Sequence, residues 1–146
     1  MMIRKMVQDD FKAVCALTKQ LGYPMLELRM YERLQCILNR PEHGAFAAVL
    51  DGSVIGWIHV YVAHILEAPV SFVEIGGLVV DESHRGTGIG RALIHAAEDW
   101  ARSGGFDDIR LRSATKRVEA HKFYESLGYQ IVKTQLRFEK KLNHSE

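Results

Sequence analysis

The sequence lacks the marks of several large classes of protein. Its 146 residues include 19 basic and 18 acidic side chains, a formal net charge of +1, whereas nucleic-acid-binding domains usually carry a clear basic excess. No apolar run approaches the roughly 18 residues that a membrane-spanning helix needs. The N-terminal segment is also too polar and acidic for a signal peptide. We therefore expect a cytoplasmic protein that binds neither nucleic acid nor membrane.

Cysteines and metal-binding spacings are scarce as well. The two cysteines, Cys15 and Cys36, form no CxxC pair and indicate no disulfide framework. The seven histidines show no HExxH or other metal-ligand spacing, so we expect no metal site. A length of 146 residues and an apolar fraction of 47% suit one domain over residues 1–146 with its own core.

Two β-rich runs in the first half of the chain predict a hairpin. Residues 45–50 and 54–63 are joined by Asp51-Gly52, a turn signal because both turn positions favour a positive φ. A further strand is predicted over 70–80. Its internal Gly76-Gly77 pair indicates a bulge or a close approach of the backbone to a ligand.

Helical patterns lie between these strands. Two precede the hairpin, one precedes Gly128, and the clearest is a stripe of apolar residues that ends at Gly104-Gly105. A last strand is predicted from Tyr129 to about Lys140. The order of elements predicts an α/β (α+β) fold in which a mixed sheet carries helices on both faces. The stripe of the clearest helix consists of Ile89, Leu93, Ala96, Ala97 and Trp100.

The segment Arg-Gly-Thr-Gly-Ile-Gly at 85–90 stands between a strand and that helix. Backbone N–H groups and the positive end of the helix dipole make such a turn a site for an anion, and glycines let phosphate oxygens approach the backbone. The segment matches neither a Walker loop nor a dinucleotide fingerprint, because Arg91 and Ala92 follow Gly90. The alternative is a glycine-rich turn that only joins a strand to a helix.

The same segment resembles a known family. R-G-T-G-I-G fits the R/Q-x-x-G-x-G/A pattern of the GNAT N-acetyltransferases, and A-H-K-F-Y-E-S-L-G-Y at 120–129 fits that family's A-x-x-F/L-Y-x-x-x-G-F/Y segment. The resemblance covers about 70–142, and R-V-E-A-H-K-F-Y with R-F-E-K-K-L is especially similar to the aminoalkylphosphonate N-acetyltransferase branch. It implies a single GNAT-like domain with a mostly antiparallel sheet, commonly a homodimer, that uses acetyl-CoA as its acyl donor.

The resemblance also implies a set of cofactor-binding residues. Backbone N–H groups of the loop would bind the pyrophosphate, and main-chain groups of the preceding strand would pair with the pantetheine amides and polarise the thioester. Arg117 stands where many members of the family have Asn, which leaves three roles open: a cofactor phosphate, a substrate anion or a surface ion pair. The full set is Leu78, Val79, Val80, Arg85, Gly86, Thr87, Gly88, Ile89, Gly90, Arg91 and Arg117.

Two side chains are candidates for proton transfer. Glu74 is the one carboxylate within an apolar strand, and burial there would favour its acceptance of a proton from the attacking amine. Its alternative reading is a solvent-facing or ion-paired glutamate, with water as the base. Tyr124 lies at the family's usual tyrosine and could protonate the leaving thiolate, although helical spacing alone would make it a core aromatic.

The expected reaction is transfer of acetyl from acetyl-CoA to the primary amine of a small molecule by direct attack. A protein or peptide acetyltransferase and a non-catalytic acyl-CoA sensor are the alternatives. The first of these would need an open, charged acceptor groove, and the sensor would need neither proton-transfer residue. Candidate residues for the acceptor pocket are Tyr23, Tyr31, His59 and Tyr61.

Overall fold

A computed structural model describes residues 1–143 of the chain. The chain divides into two compact units, residues 1–112 and 113–146, and each is described by itself. That residues 1–146 form one domain stays a prediction. The first unit contains three α-helices, two short 3-10 helices (Gln8–Asp10 and Glu82–His84) and a five-stranded sheet. The α-helices and strands are β1 (Met2–Lys5), α1 (Phe11–Leu21), α2 (Glu27–Leu38), β2 (His43–Leu50), β3 (Ser53–Ala63), β4 (Phe72–Val80), α3 (Ile89–Ser103) and β5 (Ile109–Leu111).

The strands of the sheet lie in chain order, β1-β2-β3-β4-β5. Every pair is antiparallel except β4 with β5, which is parallel. The predicted hairpin is confirmed: Asp51 and Gly52 have φ values of 50° and 79° between β2 and β3. This turn conformation matches the right-handed twist of the two strands, which explains why Asp-Gly is found there.

A β-bulge in β4 confirms the first reading of Gly76-Gly77. His59 pairs with Gly77 and Val60 with Ile75, so Gly76 is the extra residue. A Cβ atom on Gly76 would lie 2.9 Å from His59 Nδ1, and one on Gly77 would lie 2.8 Å from the Trp57 ring. The backbone therefore makes its close approach to side chains of β3, and glycine is required at both positions.

The helices cover both faces of the sheet, as predicted. Alternate residues of a strand point to opposite faces, so Gly56 and Trp57 mark the two faces of β3. A Cβ atom on Gly56 would meet Ile89 and Leu93 of α3. Trp57 packs instead against a core cluster supplied largely by α1 and α2, whose buried members are Met6, Val14, Cys15, Met30, Leu34 and Ala45.

The second unit contains one helix, α4 (Val118–Ser126), and no strand among its described residues. The predicted strand from Tyr129 to about Lys140 is therefore wrong. Its apolar side chains are exposed, with Val132 at 86% and Phe138 at 88%. A β-rich segment is stable as a strand only where a neighbouring strand completes its backbone hydrogen bonds. Residues 113–143 contain no second strand that could pair with this segment.

Candidate active site

Glu74 stands at the centre of a polar cluster on the α1–α2 face of the sheet. Its side chain is almost completely buried, with 8% of the residue exposed. Tyr61, its register partner on β3, donates a hydrogen bond from its hydroxyl to Oε2 of Glu74 at 2.8 Å. The guanidinium of Arg112, an exposed residue just after β5, lies 3.9 Å from Oε1. Glu74 is therefore a buried carboxylate with one oxygen held by a phenol and the other facing a cation.

A pair of histidines continues this cluster along the sheet. His43 begins β2 opposite Tyr61, and its Nδ1 lies 2.9 Å from Nε2 of His59. The two rings are almost parallel, 5° apart, and each ring centre is less than 6 Å from the Tyr61 ring. Burial, with the nearby charge of His43, lowers the pKa of His59 from 6.5 to about 4. His59 is therefore neutral at pH 7.

The second half of β4 has a free edge and runs into the glycine-rich loop. Among the described residues, β4 pairs with β5 only through Val73–Ile75, so residues 76–80 pair with β3 alone. Within that stretch Val79 is buried, and Leu78 and Val80 are half-buried. Unpaired N–H and C=O groups along a sheet edge can bind an extended partner with amide groups of its own.

The loop itself is exposed and shaped by two left-handed glycines. Gly86 and Gly88 have φ values of 79° and 87°, and the Thr87 hydroxyl donates to the His84 carbonyl at 2.6 Å. Residues 85–88 are exposed, and α3 begins at Ile89 with Gly88 as its N-cap and no capping side chain. The first N–H groups of α3, from Ile89, Gly90 and Arg91, are thus left to a ligand or to solvent.

Asp81 is the hydrogen-bond acceptor that stabilises the segment leading into this loop. Its carboxylate accepts hydrogen bonds from Ser83 and from the ring of His84, at 2.9 Å for the latter. Gln20 of α1 donates to the other oxygen at 2.8 Å and accepts from the backbone N–H of Glu82 at 2.9 Å. These donors hold the pKa of Asp81 below its usual range, so this carboxylate stays charged at neutral pH.

Tyr124 and Arg117 belong to the second unit. Arg117 is exposed and occupies the N-cap position of α4 without a capping hydrogen bond from its side chain, and Tyr124 lies on that helix. The Tyr124 ring packs edge-on against Phe123 at 5.3 Å and lies 6.1 Å from the ring of Tyr129. Burial raises the pKa of Tyr124, and the charge of Arg117 partly opposes that change. The phenol is therefore protonated at neutral pH and is able to donate a proton.

The four predicted acceptor residues do not gather in one place. His59 and Tyr61 lie in the cluster around Glu74. Tyr31 lies on α2, where its ring packs edge-on against Phe11 of α1 at 5.1 Å, and Tyr23 is an exposed residue between those two helices. The structure thus places two of the four candidate residues, His59 and Tyr61, in the cluster that contains the Glu74 carboxylate.

Two members of the cluster escaped the sequence analysis. His43 lies outside the predicted strand 45–50, and Arg112 follows a strand of only three residues. No local signal marked His43, because the register of the Asp51-Gly52 turn places residue 43 opposite Val60, and the extra residue Ile55, a β-bulge in β3, shifts it opposite Tyr61. Nothing in the sequence indicates which cation would face Glu74, because that depends on the parallel register of β4 and β5.

Residues 1–143 present neither a cluster of metal-binding side chains nor a membrane-spanning helix. In the described part of the chain, residues 1–143, no three histidine, cysteine, aspartate or glutamate side chains lie together as a metal site would require. Over the same residues, no helix is both long and apolar enough to cross a membrane.

Comparisons with known proteins agree on one family. The sequence model of the acetyltransferase (GNAT) family matches residues 5–129. N-acetylaspartate synthetase of Xenopus tropicalis is 33% identical over 98 residues, 67% of this chain and 35% of that protein. Aminoglycoside N(6')-acetyltransferase type 1 of Stenotrophomonas maltophilia is 32% identical over 89 residues, 58% of this chain and 57% of that protein. The chain thus spans about a third to a little over half of the length of these two relatives.

A solved structure shares the fold over almost the whole chain. Aminoglycoside N-acetyltransferase AAC(6')-Iy, in complex with CoA, superposes with a TM-score of 0.82. The alignment covers 96% of this chain and 99% of that one at 22% identity. At this identity the likeness establishes the architecture, a mostly antiparallel five-stranded sheet with helices on both faces.

Proposed function

The chain belongs to the GNAT acetyltransferase family, whose acyl donor is acetyl-CoA, and we propose that it acetylates the primary amine of a small molecule by direct attack. One observation carries this proposal: β4 bears both a buried carboxylate, Glu74, and a free edge that leads into an exposed glycine loop. This arrangement supports a base and a binding edge for an extended, phosphate-bearing donor on consecutive parts of one strand.

The donor would bind along main-chain groups. The amides of pantetheine would pair with the free edge at Leu78–Val80, in the manner of an added strand. The pyrophosphate would accept hydrogen bonds from the uncapped N–H groups of residues 85–91 at the start of α3, where the helix dipole also favours negative charge. Arg85 and Arg91 are exposed cations that would offset the negative charge of the diphosphate. Arg117, in the second unit, keeps the three roles that the sequence leaves open: a cofactor phosphate, a substrate anion or a surface ion pair.

Glu74 would accept the proton of the acceptor amine. A primary amine with a pKa of about 10 is protonated at neutral pH and cannot attack a thioester until it loses that proton. Oε2 of Glu74 already accepts the Tyr61 hydroxyl, so Oε1 is the oxygen that remains for the amine. Replacement by glutamine would keep the shape of the side chain and lower the rate near neutral pH by roughly 10²–10⁴-fold.

Tyr124 would protonate the departing thiolate. A thiol has a pKa of about 8.5 and a phenol one of about 10, so donation of the phenol proton to the sulfur is uphill by about 1.5 pK units and would accompany the breaking of the C–S bond. Tyr124→Phe removes one hydroxyl and should lower turnover while folding and CoA binding persist. The deficit should shrink with acyl donors whose thiols are more acidic. An unchanged turnover would return Tyr124 to the role of a packed aromatic.

The acceptor is the part of the proposal with the least support from side chains. His59 and Tyr61 are the candidate acceptor residues beside Glu74, and the aminoalkylphosphonate-like motifs at the C-terminus suggest an amine of that kind. A panel of small amines, peptides and no acceptor, each with acetyl-CoA and a thiol-release readout, separates the three functions. Turnover with peptides alone, or with nothing, would replace the small-molecule proposal.

A homodimer in the cytoplasm belongs to the same proposal. β3 lies in the middle of the sheet with a neighbour on each side, so it offers no edge to a second copy. β1 is the strand with an open edge, paired only with β2 among the described strands, and it is the better candidate for a contact between copies. A monomeric mass by light scattering at high concentration would remove this part of the proposal.

The donor site is tested with two matched glycine variants. Gly88 and Gly105 flank the two ends of α3 with φ values of 87° and 83°, and neither has an atom near the place of a Cβ. Valine at either position therefore introduces the same backbone strain, but only Gly88→Val obstructs the loop.

CoA at 100 times its dissociation constant should stabilise the native protein by about 2.7 kcal/mol. This stabilisation is measured as an increase in melting temperature on addition of CoA. The Gly105→Val protein should show that increase, and the Gly88→Val protein should not. Stabilisation by ATP or NADH, without any by CoA, would show that the loop serves another ligand.

A further inference from the structure

We propose that Tyr61 is a positioning residue for Glu74: its hydroxyl fixes the carboxylate in one orientation and leaves Oε1 for the amine. The inference rests on the proposed role of Glu74 as the base. It gives Tyr61 a task other than lining the acceptor pocket, which was its expected role. It also assigns a purpose to His43, which no motif had marked.

The hydrogen bond between Tyr61 and Glu74 is set by the backbone. The two residues are register partners in the antiparallel pair β3–β4, and their side chains point to the same face. Their oxygens are 2.8 Å apart, within the normal range of an O–H···O hydrogen bond. Burial, followed by the bond to Glu74, raises the pKa of Tyr61, so the hydroxyl keeps its proton throughout the pH range of an assay.

The Tyr61 ring is held in turn by two histidines. His43 and His59 are hydrogen-bonded to each other and nearly coplanar, and their ring centres lie 5.8 and 5.7 Å from that of Tyr61. The bulge at Gly76 makes room for this arrangement, because a Cβ there would lie 3.2 Å from Tyr61 Cε1 and 2.9 Å from His59 Nδ1. Rings packed in this way leave the phenol little freedom to turn away from Glu74.

The other charges near Glu74 do not replace this bond. Arg112 is 80% exposed and its guanidinium lies 3.9 Å from Oε1, a distance at which it attracts the carboxylate without orienting it. Arg110, the register partner on β5, pairs with Asp108 and lies over the Phe72 ring. On α1, which also packs on β4, the Lys12 ammonium lies near the Phe11 ring, and Lys19 is exposed.

A double-mutant cycle with pH profiles tests the inference. Tyr61→Phe keeps the ring and removes the donor, and the thermal shift with CoA reports whether the variant remains folded. Loss of a hydrogen bond that stabilises the charged carboxylate should move the acid limb of kcat/KM upward by about one pH unit. In the Glu74→Gln background the same substitution should change kcat less than about twofold, because the carboxylate through which Tyr61 acts is absent.

The possible outcomes distinguish the positioning role of Tyr61 from the proposed role of Glu74 as the base. If Glu74→Gln is fully active, Glu74 is not the base and the proposed mechanism fails. If Glu74→Gln is impaired but Tyr61→Phe leaves the acid limb unmoved, or lowers kcat equally in both backgrounds, the base stands and the positioning role is wrong. His43→Gln should also shift the acid limb of kcat/KM to higher pH, by less than Tyr61→Phe does. If the limb does not move, the histidines have no part in holding the Tyr61 ring.

Discussion

On the α3 face of the sheet, β3 presents Ile58 and Val60, which are completely buried, and α3 places the equally buried Leu93 against that face. Gly44 lacks a side chain there because a Cβ would lie 2.8 Å from the ring of Trp100. On the opposite face the same strand presents His59 and Tyr61, which are half-buried and hydrogen-bonded to His43 and Glu74. One strand thus serves an apolar interior and a polar cluster in alternate residues.

The difference shows how a small protein can hold a group of ionisable side chains inside its structure. Burial of polar groups costs free energy unless each finds a partner, and net stabilities are only about 5–15 kcal/mol. The α3 face provides close-packed apolar contacts that offset such a cost. On the other face, Tyr61 and Glu74 satisfy each other, and so do His43 and His59. We expect substitutions on the two faces to differ in what they change.

The largest effect on stability should come from the α3 face. Leu93→Ala removes a completely buried side chain from the contact between α3 and the sheet, where the surroundings can relax only partly. We expect the free energy of unfolding to fall by about 2–5 kcal/mol, as measured by chemical denaturation. Turnover at temperatures well below the melting transition should remain near that of the wild type, because Leu93 is not one of the proposed catalytic or cofactor-binding residues.

Leu66→Ala is the matched control, since Leu66 is fully exposed. It should leave the unfolding free energy within about 0.5 kcal/mol of the wild type. A Leu93→Ala protein as stable as this control would show that the α3 face is not the source of stability that its packing implies.

On the polar face, stability should depend on pH. The pKa of His59 is about 4 in the folded protein and 6.5 in the unfolded chain. Between these values the unfolded chain binds a proton that the folded protein does not, so stability falls as the pH is lowered from 6.5 to 4. The unfolding free energy therefore keeps its full value above about pH 6.5 and loses about 3 kcal/mol at most as the pH falls to 4. Denaturation curves at pH 7, 5.5 and 4.5 measure this decline.

His59→Gln should flatten that part of the pH dependence, whatever it does to stability at pH 7. His95→Gln is the control, because it makes the same substitution at an exposed histidine of α3, outside the polar cluster. Equal slopes for the wild type and His59→Gln would mean that His59 is protonated as easily in the folded protein as in the unfolded one.

The apolar face could be predicted from the sequence more fully than the polar one. The stripe Ile89, Leu93, Ala97 identified α3, and Asp51-Gly52 fixed the hairpin, because periodicity and turn chemistry are local properties. Glu74 was identified as the one carboxylate within an apolar strand. The predicted strand after residue 128 failed because β-rich composition does not create a partner strand.

The partners of Glu74 depend on long-range register, which a single sequence does not display. Tyr61 was expected to line an acceptor pocket, and its bond to Glu74 follows from the pairing of β3 with β4 across a bulge. His43 and Arg112 entered the cluster from the ends of two other strands. The glycine loop was predicted to bind an anion from its place between a strand and a helix, and the resemblance to a family implied which ligand carries that anion.

The smallest expected effect concerns how α1 is attached on the polar side. Gln20 of α1 forms hydrogen bonds with Asp81 and with the backbone N–H of Glu82, and all of these atoms are near solvent. Gln20→Ala should therefore lower the unfolding free energy by about 1 kcal/mol or less. Alanine also improves helix propensity by a few tenths of a kcal/mol, which would hide part of the loss. Gln35→Ala in α2 corrects for this, because Gln35 is an exposed glutamine within a helix. The difference between the two variants isolates the bridge, and identical unfolding free energies would show that packing alone holds α1 on this face.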